Sequence, residues 1–120
     1  MILRSDAVES IFGYWPEFAD AKVLRLAYES NGTICLDISY IDAKQGKGAV
    51  IGLRFTEAKD VALTDLLSEN VLDRLHISEG AFMRVELEAC YGLSGSFSCM
   101  GAEVTGVALG HPFKSTTLSG

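Results

Sequence analysis

The chain has 120 residues, 48% of them hydrophobic, so it is long enough to bury the core of one domain and too apolar to be disordered. Sixteen acidic against ten basic residues give a net charge of −6. This charge argues against a nucleic-acid partner, whose phosphates need Lys and Arg, and favours a basic protein partner.

The sequence shows no signal for export or membrane insertion. Met1 to Asp6 lead directly into a predicted helix and lack a signal-peptide pattern, and no apolar run reaches the length of a transmembrane span. The sequence therefore predicts a cytoplasmic protein with no membrane partner. Cys35, Cys90 and Cys99 each lie among apolar strand residues, which favours reduced, buried thiols over a disulfide framework.

A short amphipathic helix is predicted near the N-terminus. Asp6 and Glu9 are three residues apart, which is close to a capping box, and the apolar residues after Asp6 fall on one helical face. Gly13 suits the position just past a helix C-terminus. Pro16 restricts Trp15 to an extended conformation, so the helix is expected to end before both residues.

A β-hairpin is predicted where Ser30-Asn31-Gly32 separates two alternating runs. A two-residue turn would set Leu26 opposite Asp37, whereas a three-residue loop sets Arg25 opposite Asp37. The three-residue loop also places Leu24, Leu26 and Tyr28 opposite Ile38, Leu36 and Ile34. Because a slip of one residue exchanges the two faces, we predict the three-residue loop, with Gly32 in the left-handed conformation.

Further strands are predicted at 49–56, 75–78, 82–89 and 96–108, the last as one strand or a pair of strands. The segment 61–75 is predicted as one helical turn or a structured loop, because three leucines in it have helical spacing. The predicted fold is therefore α+β and mainly β. It comprises a single antiparallel sheet of five or six hairpin-linked strands, with a short N-terminal helix packed on one face. Residues 1–109 are predicted to form one domain and 110–120 a C-terminal tail.

The sequence contains no clear set of catalytic or metal-binding residues. It has no Cys-x-x-Cys pair, and neither histidine has a second ligand type at metal-binding spacing. We therefore expect no metal, no cofactor and no enzymatic activity. The alternative of an enzyme requires a deep pocket with convergent polar groups, for example around His76 or Cys99.

Acidic residues concentrate between Glu57 and Glu79, where six carboxylates accompany only Lys59 and Arg74. Five of these acids are predicted to bind a partner: Glu57, Asp60, Asp65, Glu69 and Asp73. One alternative is a solvated connection that keeps the protein soluble. Another places the contact on an exposed strand face that carries Arg25, Arg54, Arg84, Glu86 and Glu88.

The segment 12–21 contains the only tryptophan of the chain and four aromatic residues close together. One interpretation is a hydrophobic plug that fixes the helix to the sheet, because large aromatic residues are usually buried. Its structural residues are then Trp15, Pro16, Phe18 and Asp20. The other interpretation gives Tyr14 or Trp15 a direct contact with a partner.

The run from Ile11 to Val23 resembles the opening motif of the bacterial immunity-protein family numbered fifty, which belongs to polymorphic-toxin systems. That opening typically reads Phe-Gly-x-Trp-Pro-x-Phe-His-Asp-Ala-Glu-Val. Weaker similarity continues through Leu53-Arg54-Phe55, Asn70-Val71-Leu72 and Phe97-Ser98-Cys99, so it covers roughly residues 8–108. Ala19 stands where the family has His, and Lys22 where it has a second acid, which favours a structural role for the motif in this chain.

The resemblance implies a protein that binds a co-encoded bacterial toxin and neutralises it by stoichiometric occlusion. Many toxins of such systems are nucleases with a basic substrate groove, which an acidic surface would complement. The alternative is a non-catalytic binding or scaffolding module of a different system. In either case an uncovered edge strand could pair two copies of the chain as a homodimer.

Overall fold

The computed structural model describes residues 1–110, which contain nine strands and one helix. In chain order the elements are β1 (Ile2–Leu3), α1 (Asp6–Phe12), β2 (Lys22–Tyr28), β3 (Ile34–Asp42), β4 (Lys47–Thr56), β5 (Lys59–Thr64), β6 (Val71–Ser78), β7 (Met83–Tyr91), β8 (Ser94–Cys99) and β9 (Gly101–Leu109). The strands form one sheet in the order β1-β9-β4-β3-β2-β6-β7-β8-β5. The prediction of a mainly β fold with a single sheet and one short helix is confirmed.

The predicted count of five or six strands is wrong. β1, with two residues, and β5 are strands that the sequence pattern does not predict. The segment predicted as one strand or a pair, 96–108, belongs to two strands, β8 and β9, divided only by Met100. The sheet is also not wholly antiparallel, because β1 pairs with β9 in parallel. Nor are all strands linked by hairpins, since β5 lies at one edge of the sheet and the chain then crosses to β6 beside β2.

Of the two alternatives predicted for 61–75, the helical turn is wrong, because β5 occupies Lys59–Thr64 and β6 begins at Val71. The structured loop holds only for 65–70, between these strands. In β5 the side chains of Val61 and Leu63 are half-buried while their neighbours are exposed, which is the alternation of an edge strand. Leu66 and Leu67 supplied the helical spacing, yet both are exposed in the loop after β5. Long-range pairing with β8 therefore decides the conformation here.

The β2–β3 hairpin has the predicted three-residue loop. The Glu29 amide donates to the Thr33 carbonyl at 2.8 Å, and Gly32 has a φ of 86°. Arg25 lies opposite Asp37, with Leu26 and Tyr28 opposite Leu36 and Ile34, as predicted. The prediction fails at Leu24, because a β-bulge between Val23 and Arg25 puts Val23 opposite Ile38 instead.

The sheet is rolled so that its two halves enclose a common core. Phe55 on β4 and Phe97 on β8 are far apart in strand order, yet their rings meet edge to face with centroids 5.2 Å apart. Only Glu57 and Ala58 separate β4 from β5, so the ribbon of β4 and β9 turns a corner and continues as β5 and β8. On the opposite side, β2 and β6 pair only at Lys22 and Val71. The two halves therefore diverge beyond this pair.

Helix α1 packs against β4 and β9 through Val8 and Phe12, which are buried. Gly13 follows the helix with a φ of 86°, and its amide donates to the Glu9 carbonyl at 2.7 Å, as predicted for a C-terminal glycine. The helix carries no basic residue in its last turn. Instead, Gln45 Nε2 and Lys47 Nζ donate to the carbonyls of Phe12 and Ile11, at 2.8 and 3.1 Å.

The three cysteines are free but differ in exposure. Cys99 is buried, as predicted, and burial raises the pKa of its thiol. Cys35 is half-buried, and Cys90 is exposed near the end of β7, so the prediction of a buried thiol is wrong for Cys90. The predicted tail, 110–120, lies outside the described residues except for Gly110.

Candidate partner-binding site

The five predicted partner-binding acids are all exposed, but they do not form one continuous surface. Glu57 and Asp60 lie at the corner between β4 and β5. Asp65 and Glu69 lie in the loop between β5 and β6, and Asp73 lies on β6. β5 separates Asp60, near its start, from Asp65, just past its end, and because a strand rises about 3.3 Å per residue these two positions are at most about 16 Å apart along it. The acids thus divide into a corner pair and a group around the loop.

Three of these acids have a backbone conformation that most side chains disfavour. Glu57, Asp60 and Asp65 have φ values of 52°, 53° and 60°. Asp tolerates the left-handed conformation better than most residues because its short side chain can bond locally. The positions of Asp60 and Asp65 therefore also have a local structural explanation, which does not extend to Glu69 or Asp73.

The aromatic motif is largely inside the protein. Phe18 and Pro16 are buried, Trp15 is half-buried and Asp20 is exposed. The Phe18 ring packs edge to face on Trp15 and Tyr40, with centroids 5.5 and 5.4 Å away. The position of these side chains places most of the motif in the core rather than on a contact surface.

The backbone of the motif runs beside β6 and bonds to it. The Leu75 amide donates to the Glu17 carbonyl, and the Asp20 amide to the Leu72 carbonyl, both at 2.8 Å. The Leu72 amide in turn donates to the Ala21 carbonyl at 2.8 Å. These bonds connect the segment after α1 to the half of the sheet formed by β6, β7, β8 and β5.

A polar network that no sequence pattern predicts surrounds the buried carboxylate of Asp42. The Tyr14 hydroxyl donates to Asp42 Oδ2 at 2.8 Å and lies 2.9 Å from the Tyr40 hydroxyl. Gln45 Nε2 donates to the same carboxylate oxygen, and the amides of Lys44 and Gln45 donate to Oδ1. The hydrogen bond from Tyr14, followed by those from Gln45 and Lys44, lowers the pKa of Asp42 although burial opposes the shift.

These groups line an open cleft of about 530 Å³, together with Ala19 and Asp20. The hydrogen bond to Tyr40, burial and the bond to Asp42 raise the pKa of Tyr14, so its hydroxyl stays protonated as a donor. Every polar atom described above has a partner within the network. The arrangement fixes the loop after β3 to the segment after α1.

Replacing Asp42 with Asn tests this network through its pH dependence. The folded-state pKa of Asp42 lies below its unfolded value of about 3.9, so the network stabilises the fold above that pH and loses its effect as the pH falls through the folded value. We expect Asp42→Asn to lower Tm at pH 7, with the difference from wild type shrinking as the pH falls below about 4.

The matched control is Asp6→Asn, because Asp6 is exposed on α1 and makes none of these contacts. It is expected to leave the dependence of Tm on pH as in wild type. An Asp42→Asn deficit that stays constant from neutral to acid pH, measured by thermal unfolding, would contradict a stabilising carboxylate.

An exposed charge network joins the motif to β6 and β7. Arg74 contacts Glu17 Oε2 through Nε at 3.1 Å and Glu88 Oε2 through Nη1 at 3.2 Å. The His76 ring nitrogen Nδ1 lies 3.1 Å from the same oxygen of Glu17. Hydrogen bonding from His76, and then from Arg74, lowers the pKa of Glu17. Because all four side chains are substantially exposed, solvent screens these interactions and their contribution to stability is small.

The feature that best suits a macromolecular partner is a groove between β2 and the loop that follows β5. We call it the β2 groove; it encloses about 200 Å³ and is lined by Val23, Leu24, Arg25, Leu26, Leu66, Leu67, Ser68 and Asn70. A second cleft of about 220 Å³ adjoins it and includes Glu69. The groove lies where the two halves of the sheet diverge, and its neighbours in the chain include Asp65 and Glu69.

The wall of the β2 groove is held by Asn70, a buried polar residue. Its Oδ1 accepts the amides of Leu67 and Leu93, at 3.0 and 2.9 Å, and its Nδ2 donates to the Leu67 carbonyl at 2.9 Å. Gly92 makes room for this side chain, since a Cβ there would lie 2.4 Å from Asn70 Oδ1. These bonds attach the end of the loop, at Leu67, to Asn70 and through it to Leu93.

Sequence reasoning identified the acids near the groove but missed the groove itself. The sequence pattern predicts that Leu24 faces inward and that Leu66 and Leu67 have helical spacing, yet each of the three is at least 46% exposed. One signal was available: two adjacent leucines between Asp65 and Ser68-Glu69 cannot both face a core in a polar loop. Their position beside β2 depends on long-range pairing, which local patterns do not encode.

Within residues 1–110, no group of three or more His, Cys, Asp and Glu side chains is arranged to hold a metal ion. The same residues include no helix with the length and apolarity needed to cross a membrane. Comparison of the chain with protein-family models, curated proteins and solved structures finds no match. Function must therefore be inferred from the motif, the charge distribution and the surface.

Proposed function

We propose that this chain is an immunity protein, which binds a co-encoded bacterial toxin in the cytoplasm and neutralises it by occupying its active surface. The observation that carries the proposal is the exposed acidic loop of Asp65 and Glu69 beside the β2 groove. The resemblance of the segment from Ile11 to Val23 to the opening of an immunity family supplies the biological class.

The charge of the chain supports a basic toxin surface as the target. Residues 65–73 contain three carboxylates and no lysine or arginine, and the whole chain has a net charge of −6. Opposite charges on two partners accelerate their encounter and exclude wrong partners. A nuclease whose substrate groove binds phosphates would present such a surface, and an acidic protein seated in that groove would block the substrate.

The second candidate is a non-catalytic binding module that does not belong to a toxin system. The exposed apolar residues favour this candidate as much as they favour an immunity protein. Leu66 and Tyr28 are 62% and 58% exposed, and both lie near the β2 groove. Such side chains, together with a groove, mark protein contact surfaces in general. Only the resemblance of the motif and the acidic loop distinguish the toxin-binding proposal.

Co-expression tests the proposed function directly. The product of the neighbouring gene is expressed in bacteria alone, with this chain, and with a copy of this chain truncated by an early stop codon. We expect growth arrest in the first and third cultures, rescue in the second, and copurification of the two proteins from the rescued cells. A harmless neighbouring product, or rescue without a complex, would contradict the proposal.

A further inference from the structure

We propose that the toxin binds by adding an extended, basic segment as a strand to the open edge of β2, with side chains of that segment in the β2 groove. This inference rests on the proposed function and specifies how the complex forms. Recognition by strand addition draws affinity from backbone hydrogen bonds and specificity from pockets for alternate side chains. The structure offers both features at β2.

The edge of β2 is open over most of its length. On one side β2 pairs with β3 from Lys22 to Tyr28, whereas on the other it pairs with β6 only at Lys22. The Val23 amide still donates to the Asn70 carbonyl, at 2.9 Å, and beyond this bond the loop turns away to form the groove wall.

The alternation of the hairpin shows which backbone groups face this edge. The Glu29 amide donates to the Thr33 carbonyl, so by the alternation of an antiparallel pair Ala27 and Arg25 also direct their amides and carbonyls toward β3. Leu26 and Tyr28 occupy the alternate positions, and their amides and carbonyls therefore point away from β3. They form a row of donors and acceptors that an added strand can satisfy.

The side chains around the edge are apolar and exposed. Leu24, Leu66 and Leu67 border the groove, and Tyr28 follows along the same strand. A volume of about 200 Å³ admits a few side chains of an extended segment rather than a folded element. Asn70 holds the wall in place, so little ordering of the loop is required on binding.

Charge selects a basic segment over a second copy of this chain. The acids near the edge are Glu29, Asp65 and Glu69, against the cations Lys22 and Arg25, of which Arg25 lies 3.7 Å from Asp37. Two copies paired along β2 would bring two acidic loops together, and each loop would occupy space that the other copy needs. A basic segment from a different protein meets neither obstacle.

The other open edges of the described sheet suit an added strand less well. β1 has only two residues. β5 has a register irregularity between Lys59 and Ala62, within its six residues, whereas the bulge of β2 lies before Arg25 and leaves Leu26 and Tyr28 in regular register. Asp60, within that irregularity, has a φ of 53°, which bends the strand away from regular pairing. Irregular and very short edges are features that hinder strand addition in natural sheets.

The test uses the purified product of the neighbouring gene as the probe and measures its Kd for variants of this chain by calorimetry. Tyr28→Pro removes an amide that faces the open edge without removing a bond to β3. We expect it to weaken binding about tenfold or more, and Tyr28→Thr, which keeps that amide, to weaken it less. Leu24→Lys, which places a charge on the edge, is expected to act like Tyr28→Pro.

Phe82→Lys is the matched control, because Phe82 is 60% exposed at the far end of the β6–β7 hairpin. It should bind as wild type. Urea unfolding of each variant verifies that the fold is intact, and hydrogen exchange provides a second readout: the amides of Leu26 and Tyr28 should become protected in the complex.

The outcomes separate this inference from the proposed function. If wild-type chain neither binds the neighbouring product nor rescues growth, the proposed function fails and the inference fails with it. If wild type binds but Tyr28→Pro and Leu24→Lys bind equally well, with no new amide protection, the strand addition is wrong and the function stands. Equal weakening by Phe82→Lys, or a β2-dependent homodimer of the chain alone, would also overturn the inference.

Discussion

Replacing Phe18 with Ala is expected to lower the free energy of unfolding by about 3–5 kcal/mol, because the ring fills the centre of the fold. Phe18 is 0% exposed and packs on both Trp15 and Tyr40. Its φ of 59° is a conformation that Ala disfavours as much as Phe, so the substitution relieves no backbone strain. The measurement is equilibrium unfolding in urea.

Phe82→Ala is the control for the loss of an exposed ring. Phe82 is 60% exposed, and its removal is expected to change stability by no more than about 0.5 kcal/mol. A loss below about 1 kcal/mol for Phe18→Ala would show that the motif does not fix α1 to the sheet. The motif would then be free to serve the direct partner contact that is the alternative interpretation.

Neutralising four acids is expected to weaken toxin binding about tenfold or more at low salt and to reduce the salt dependence of Kd. The variant carries Asp60→Asn, Asp65→Asn, Glu69→Gln and Asp73→Asn. Asn and Gln are chosen as replacements because their side chains keep the shape of Asp and Glu. Asn also tolerates the positive φ at Asp60 and Asp65. Calorimetry with the neighbouring gene product at several salt concentrations gives both quantities.

The control removes the same charge elsewhere, through Asp6→Asn, Glu9→Gln, Asp20→Asn and Glu79→Gln. These residues are exposed, and Asp20 matches the positive φ of the test set. A similar loss of affinity in both variants would indicate long-range attraction without a defined site. No change in the test variant would move the contact to another surface, such as the strand face that carries Arg84 and Glu86.

Two double variants, drawn from the five predicted partner-binding acids, make use of the separation found in the structure. Asp65 and Glu69 adjoin the β2 groove, whereas Glu57 and Asp60 lie at the far end of β5. The double variant Asp65→Asn with Glu69→Gln is expected to raise Kd nearly as much as the four-acid variant does. The double variant Glu57→Gln with Asp60→Asn is expected to raise Kd only slightly. The reverse order would place the contact at the corner between β4 and β5.

Local sequence signals predicted the parts of the fold that depend on near neighbours. Gly13 ends α1, and the three-residue loop with left-handed Gly32 sets Arg25 opposite Asp37. These features follow from backbone preferences and from the period-two alternation of side chains. Because backbone preferences and side-chain alternation act between residues close in the chain, they can be read from the local sequence.

The parts that were missed depend on contacts between distant residues. β1 has two residues and exists through its pairing with β9, and β5 is an edge strand whose weak alternation was hidden by Leu66 and Leu67. The bulge that exposes Leu24 likewise has no local marker. Rolling of the sheet, which brings Phe55 to Phe97, could not be inferred from strand patterns alone.

Of the candidate partner-binding site, only the acidic residues could be predicted from the sequence. The acids at Asp65 and Glu69 stand out in the sequence, but their position beside an open strand edge results from the point at which β2 and β6 diverge. The buried carboxylate of Asp42 gave no signal, since its donors Tyr14 and Gln45 come from different segments. Long-range geometry therefore decides which charged residues are available to a partner.

The central claim is that this chain acts by occupying its partner, and titration tests it most directly. The purified neighbouring gene product is titrated with purified chain while its toxic activity is followed, for a nuclease as cleavage of nucleic acid. The account predicts that activity falls linearly and reaches zero at one equivalent of chain. Complete inactivation by a small fraction of an equivalent, or full activity in excess chain, would contradict it.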